Sequence, residues 1–103
     1  MIVDPSTVVI TAHVVAWADD EIERQAWLAE CLARHDNGDW GDLDHDDHAA
    51  NQLALRRHEG RLLSRFVVPD SLAADSDEEA VWIITDDLED PDTATTILWP
   101  SDY

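Results

Sequence analysis

The chain carries twenty-four acidic side chains against six basic ones, a formal charge of −18 in 103 residues. Charges of one sign repel one another in a compact state, so the fold must bury enough apolar surface to outweigh that repulsion. An apolar share of 45%, including five Trp, allows a modest core for one domain, residues 1–103. We therefore expect a single acidic domain that needs no disulfide, since Cys31 is its one cysteine.

The charge also restricts the partners. All six basic residues are Arg, and no cation follows Arg65. Direct contact with nucleic acid or with an anionic membrane needs a cationic surface, so we expect neither as a partner. The unpaired cysteine, the lack of a long apolar run and the lack of a signal-peptide pattern predict a cytoplasmic protein.

Hydrophobic periodicity divides the chain into helices and strands. Residues 7–11 predict a short strand, and apolar residues at helical spacing predict one long helix over 14–35. Asp44 is placed to cap a second helix that runs to about Glu59 before Gly60 ends it. Three further segments are rich in β-formers: residues 61–68, 81–85 and 93–99. This order predicts an α+β fold, in which two helices pack on one face of a small antiparallel sheet, a three-stranded meander that the N-terminal strand could extend to four.

The predicted core comes from these helices and from the tryptophans. Helical spacing predicts the following buried residues: Val15, Ala18, Ile22, Ala26, Leu28, Ala29, Leu32, Ala33, Ala50, Leu53 and Ala54. Trp40 lies in a Gly-flanked acidic turn, where it either fills a gap between helices or stands exposed as a binding anchor. We favour the filled gap, because large aromatic side chains dominate small cores.

The metal-binding patterns are incomplete. Residues 36–48 are dense in Asp and His, but Gly38 and Trp40 fall where a calcium loop needs oxygen ligands. His45 and His48 could meet a cation at the start of the second helix, although capping and solvation explain these residues without one. We therefore expect no metal and no cofactor.

The nucleophile patterns are also incomplete. Cys31 precedes His35 by one helical turn, but no segment supplies an oxyanion hole. Ser64 lies within a predicted strand and lacks the Gly-flanked elbow of a hydrolase. We therefore expect no catalytic residue, and we interpret Cys31 as a buried apolar side chain.

The acidic surface has three possible explanations: solubility, adaptation to a high-salt cytoplasm, and mimicry of nucleic acid. Eighteen charges equal those of about nine base pairs, or ~30 Å of duplex, which is close to the diameter of a globule of this length. The carboxylates expected to contact a partner fall in three groups. They are acidic loop 1 (Asp70, Asp75, Asp77, Glu78 and Glu79), acidic loop 2 (Asp86, Asp87, Glu89, Asp90 and Asp92) and the helix patch (Asp39, Asp42, Asp44, Asp46 and Asp47).

Four segments carry a family resemblance: GDWGDLD at 38–44, RLLS at 61–64, WIIT at 82–85 and TTIL at 95–98. From about Arg34 to Tyr103 the chain resembles small proteins encoded on plasmids and prophages, which have no assigned activity. The first 33 residues and acidic loop 1 differ from that pattern. The resemblance implies a mobile-element setting and, by analogy with small acidic anti-CRISPR and anti-restriction proteins, an inhibitor that blocks a basic DNA-binding groove. The CRISPR surveillance complex is the favoured target. The alternative is an acidic interaction module, antitoxin-like or a housekeeping protein of a halophile.

Overall fold

The computed structural model describes residues 3, 7–73 and 77–103, which form three α-helices and one four-stranded sheet. In chain order the elements are β1 (Val8–Ile10), α1 (Ala12–Ala18), α2 (Ile22–Asp36), α3 (His45–Arg57), β2 (Leu62–Val67), β3 (Ala80–Thr85) and β4 (Thr95–Leu98). Short 3-10 turns, Asp70–Leu72 and Pro100–Asp102, follow β2 and β4. The fold is α+β, as predicted.

The strands lie in the order β1-β4-β3-β2. β2, β3 and β4 form the antiparallel meander that their sequences, rich in β-formers, predict, with Ser64 paired to Ile83 and Ile83 to Ile97. β1 joins β4 in parallel, so the sheet is mixed and the prediction of a wholly antiparallel sheet is wrong. A parallel pair needs a long connection, which the helices and the meander supply here.

The single helix predicted over 14–35 is two helices. Asp19 is extended and Asp20 has a φ of 57°, a left-handed conformation that Asp tolerates better than most residues. Side chains of α2 then satisfy carbonyl groups at the end of α1. Arg24 Nη1 donates to the carbonyl oxygen of Trp17 at 2.7 Å, and Gln25 Nε2 donates to that of Ala18 at 3.0 Å. The prediction of two helices is therefore corrected to three.

α1 and α2 cover one face of the sheet and form the main core with it. Their buried side chains are Val14, Ala18, Leu28 and Cys31, which cluster with Phe66, Val81, Ile83, Ile97 and Trp99. Five residues of the predicted stripe are exposed instead: Val15, Ile22, Ala26, Ala29 and Ala33. An alanine-rich helix has apolar residues on several faces, so periodicity alone did not identify the face that meets the sheet.

α3 lies along β2, an edge strand of the sheet. Its N-cap is Asp44, as predicted, and the Asp44 carboxylate accepts a hydrogen bond from the Asp47 amide at 2.8 Å. Its buried residue is Asn51. Of the predicted core residues, Ala54 is half-buried and packs against the cluster of Trp40, Leu62 and Leu88, whereas the prediction is wrong for Ala50 and Leu53, which are exposed. The amide of Asn51 bonds the backbone of Leu63, and that pairing decides which face of α3 turns inward.

Candidate partner-binding surface

Acidic loop 2 joins β3 to β4 and is held by its own polar groups. The Asp87 carboxylate accepts from the Glu89 amide at 3.0 Å, and the Asp90 carboxylate accepts from the Asp92 amide at 2.8 Å. Leu88 is buried beneath the loop, and its amide donates to the Gly60 carbonyl at 2.8 Å. These Asx turns fix the backbone, while all five carboxylate-bearing residues of the loop stay exposed. The loop therefore presents its negative charge in a defined arrangement.

Acidic loop 1 joins β2 to β3. Asp70 begins the 3-10 turn, and Asp77, Glu78 and Glu79 lead into β3. The Glu78 carboxylate accepts a hydrogen bond from the Ser101 hydroxyl, and Glu79 lies 3.5 Å from Arg65 Nη2. Asp75, a predicted contact residue, lies outside the described residues.

The two loops lie at opposite ends of β3. Loop 1 enters the strand at Ala80 and loop 2 leaves it at Thr85. Six strand residues cover about 20 Å. The two loops, which we predicted to form one contact surface, are therefore separated by the length of β3. A partner that contacts both must extend along the sheet.

The helix patch lies beside β2. Asp42, Asp44 and Asp47 line a shallow pocket of about 250 Å³ together with Arg65 and Trp82. Arg65 also reaches Glu79, so this guanidinium lies between the helix patch and loop 1. No local pattern predicts this neighbourhood, because the pairing of β2 with β3 and the bonding of residues 40–42 to Arg65 create it jointly.

Asp39 faces away from that pocket and pairs with α2. Arg34 Nε donates to the Asp39 carboxylate at 2.8 Å and holds the pKa of that carboxyl below its usual range. The same guanidinium stacks over the Phe66 ring at 4.6 Å. Asp39 is thus already partnered within the chain, so its carboxylate is less available to a partner protein.

Acidic loop 2 has cations next to it. A wide cleft of about 620 Å³ places Asp86, Asp87 and Glu89 with Arg57 and Arg61 at the C-terminal end of α3. Arg61 donates to the Tyr103 hydroxyl at 2.6 Å, and Arg57 lies 3.9 Å from Glu59. One side of loop 2 is therefore mixed in charge. Even so, six arginines cannot neutralise twenty-four carboxylates, and the surface as a whole stays strongly negative.

A buried polar network lies between α2 and the sheet. His35 Nδ1 lies 2.5 Å from Ser64 Oγ, and His35 Nε2 lies 2.9 Å from Thr85 Oγ1, which in turn contacts Thr95 Oγ1 at 2.9 Å. Burial lowers the pKa of His35 to about 4, so the ring is neutral at pH 7, with one nitrogen donating and the other accepting. His35, Ser64 and Thr85 are all 0% exposed. A hydroxyl beside an imidazole resembles a nucleophile and its base, but no substrate reaches this pair in the folded state.

Cys31 does not pair with His35 and is buried in the main core. Burial raises the pKa of its thiol to about 12, which leaves it protonated and unreactive at neutral pH. The interpretation of Cys31 as an apolar core side chain is confirmed. The His35 network itself was missed, because its partners are 29 and 50 residues away and only the strand register brings them together.

The acidic turn and the start of α3 serve the fold in the described structure. Trp40 is buried with Leu62 and Leu88, which confirms that it fills a gap instead of standing exposed. Among residues 3, 7–73 and 77–103, no group of three or more His, Cys, Asp or Glu side chains is arranged to hold a metal ion. Within those same ranges, no helix has the length and apolar character to cross a membrane.

Comparisons of the chain with protein-family models, with curated proteins and with solved structures found no match.

Proposed function

We propose that this protein is a DNA mimic, which occupies the basic DNA-binding groove of a partner protein or ribonucleoprotein complex and so keeps DNA out. The observation that carries the proposal is the density of negative charge on a small molecule. The molecule measures 40 × 30 × 22 Å and bears twenty-four carboxylates. A duplex 40 Å long bears about 24 phosphates, at one per ~1.7 Å.

The arrangement of the acidic groups supports this function. Acidic loop 2 lies at one end of the sheet, and acidic loop 1 with Asp42, Asp44 and Asp47 lies toward the other. The ~20 Å between the ends of β3 corresponds to about six base-pair steps of duplex. A groove whose Lys and Arg residues hold several successive phosphates could therefore engage both ends of the molecule at once.

The order of loop 2 supports the proposal energetically. A mimic replaces phosphates effectively when its charges are held in place before binding, because less conformational entropy is then lost. The Asx turns at Asp87 and Asp90 and the buried Leu88 provide that order. Because the contact consists of many charge pairs, we expect its affinity to fall steeply with salt.

A CRISPR surveillance complex is the first target to test, given the resemblance to plasmid and prophage proteins. Labelled duplex target would be offered at moderate salt to a purified type I complex, with and without this protein. We expect near-stoichiometric protein to abolish DNA binding. The test variant reverses three charges of loop 2, Asp86→Arg, Glu89→Arg and Asp92→Arg, and leaves the turn-forming Asp87 and Asp90 unchanged.

A matched variant tests whether inhibition depends on the position of the charges or only on the net charge of the protein. Asp19→Arg, Glu23→Arg and Glu30→Arg change the net charge equally, at exposed positions of the helical layer. We expect the loop 2 variant to lose inhibition and the helical variant to keep most of it. Equal loss in both would mean that net charge alone acts. Full activity of the loop 2 variant, with its fold confirmed by circular dichroism, would contradict loop 2 as the contact surface.

A halophilic housekeeping protein is the second candidate, and composition favours it. The chain has no Lys, and its acids are seventeen Asp and seven Glu. If this candidate is correct, the protein inhibits no complex and requires high salt to fold. An antitoxin-like module would instead bind a basic protein partner without competing with DNA, so the competition assay separates it from the mimic.

A further inference from the structure

The two edge strands of the sheet, β2 and β1, differ in whether their outward backbone groups are hydrogen-bonded. At the β2 edge, the Asn51 side chain accepts from the Leu63 amide at 3.0 Å and donates to the Leu63 carbonyl at 2.6 Å. Two residues further on, the Arg65 amide donates to the Trp40 carbonyl at 3.0 Å, and the Asp42 amide donates to the Arg65 carbonyl at 2.7 Å. The outward backbone groups of Leu63 and Arg65 are thus satisfied within the chain, which blocks strand addition along the first two thirds of this edge.

The β1 edge is open in the part of the chain that the structure describes. The Thr11 amide donates to the Ile97 carbonyl at 3.0 Å, so alternation turns the backbone groups of Ile10 away from β4. Within the described ranges, no backbone group of Val8, Val9 or Ile10 bonds outside the sheet. Within β1 as described, Val8–Ile10, there is also no Lys, Pro or bulge, the features with which proteins commonly block strand addition.

An apolar groove adjoins this edge on the helical face. It has a volume of about 340 Å³, and its walls are Val8 and Ile10 of β1, Ile97 of β4, Val15 of α1, and Leu28 and Leu32 of α2. Val15 is 50% exposed and Ile10 is 41% exposed. Ile22, one turn before the groove residue Gln25 on α2, is 80% exposed. Contiguous apolar surface beside an open strand edge is typical of a site that binds a partner segment.

Charge identifies the kind of partner. Asp19 lines the groove, and Asp20, Glu21 and Glu23 follow at the α1–α2 turn. A second copy would bring another formal charge of −18 to this edge, and the repulsion opposes self-pairing at low salt. A cationic segment gains from the same field. The acidity therefore keeps the edge free of copies of this chain while attracting basic partners.

We propose that β1 and its groove bind an extended segment of a partner protein, which adds as a fifth strand with apolar side chains at alternate positions and Lys or Arg at its ends. Alternate side chains of the added strand point into the groove beside Val8 and Ile10, and its backbone pairs with the open edge. The proposal rests on β1 and the helical layer and not on the acidic loops, so it stands or falls separately from DNA mimicry.

The test uses a labelled nine-residue peptide with Val at alternate positions, Ser between them, and Lys and Arg at both ends. Fluorescence anisotropy with the full chain at about 50 mM salt measures its binding. We expect saturable binding that Val15→Asn weakens at least tenfold, because a polar group enters the groove. Leu53→Asn, a comparably exposed position on α3, is the matched variant and should leave the affinity unchanged.

Two further measurements distinguish strand addition from charge attraction and from self-association. A peptide N-methylated on its edge-facing amides keeps its side chains and charges but cannot pair with β1, and we expect it to bind at least tenfold more weakly. Equal binding of both peptides, or no binding of either, would overturn the proposal. Sedimentation should show a monomer, and a dimer that Val15→Asn dissociates would assign the groove to a second copy.

Discussion

At the scale of single residues, His35 joins α2 to two strands through buried hydroxyl groups. Its ring contacts Ser64 of β2 and Thr85 of β3, and the edge of Trp40 packs against it at a centroid distance of 5.6 Å. A buried hydroxyl left unsatisfied costs about 1–3 kcal/mol. The neutral ring therefore stabilises the fold as long as it stays unprotonated.

This arrangement predicts a loss of stability in mild acid. The pKa of His35 is about 4 in the folded chain, below its usual 6.5, so the unfolded chain binds the proton first. The resulting stabilisation is complete above about pH 6.5 and is lost as the pH falls from there to about 4. From the difference in pKa it amounts to about 3 kcal/mol. Urea unfolding across this pH range should show it in the wild type and not in His35→Gln.

Comparing the two proteins cancels the titration of the carboxylates, which both share. At pH 7, His35→Gln should be about 1–3 kcal/mol less stable than the wild type, and the gap should close toward pH 4. A difference in stability that stays constant with pH would show that the pKa of His35 is the same in the folded and the unfolded chain.

At the scale of elements, the segment that covers the β2 edge depends on Gly41. This residue has a φ of 72°, and a Cβ added there would lie 2.2 Å from the Arg65 carbonyl oxygen and 2.7 Å from a Phe66 ring carbon. Gly60 has a similar φ of 82°, but its nearest neighbour would be the Ala54 Cβ at 4.0 Å. The two positions therefore share a left-handed backbone, which strains any residue other than Gly, and they differ in the steric contacts that a Cβ would meet.

Gly41→Ala and Gly60→Ala separate these two effects. We expect Gly60→Ala to cost about 1–2 kcal/mol from the left-handed conformation alone. Gly41→Ala adds the clash with β2 and should cost at least about 2 kcal/mol more, or prevent folding. Chemical denaturation followed by tryptophan fluorescence gives both values. Similar costs would mean that the 40–42 segment can move away from β2 without loss.

The same elements show which structural features could be predicted from neighbouring residues in the sequence. The meander strands and the Asp44 cap were predictable, because β-branched runs and an N-cap act within a few residues. The helix break at Asp19–Asp20 and the buried face of α2 were not, because contacts with the sheet select among several apolar faces. The close approach of β2 to Gly41 was not predictable either, since nothing within its own segment shows that β2 lies against it.

At the scale of the whole molecule, the acidic loops were predictable as loops, but their separation was not. Loops 1 and 2 are both short acidic connections in the sequence, and only the strand between them places them about 20 Å apart. The proximity of the helix patch to Glu79 likewise depends on Arg65, which reaches both. The location of charge on this protein is thus a property of sheet topology, whereas its amount is a property of composition.

The amount of charge predicts how the fold responds to salt. At about 0.15 M salt the screening length is ~8 Å, so in a body of 40 × 30 × 22 Å repulsion persists mainly between neighbouring carboxylates, such as those within one acidic loop. At 1 M salt the screening length falls to ~3 Å, which weakens these close pairs as well. We expect a protein that is folded at about 0.15 M KCl and whose Tm rises with KCl. The loop 2 reversal described above changes the formal charge from −18 to −12 and should make that rise shallower. A wild type that stays disordered below about molar KCl and folds above it would identify the acidity as adaptation to a saline cytoplasm, and the DNA mimic would lose its main support. If the protein instead folds at low salt, and the increase of Tm with KCl depends on net charge, salt adaptation would not explain the acidic surface. Binding to a basic partner would then remain its explanation.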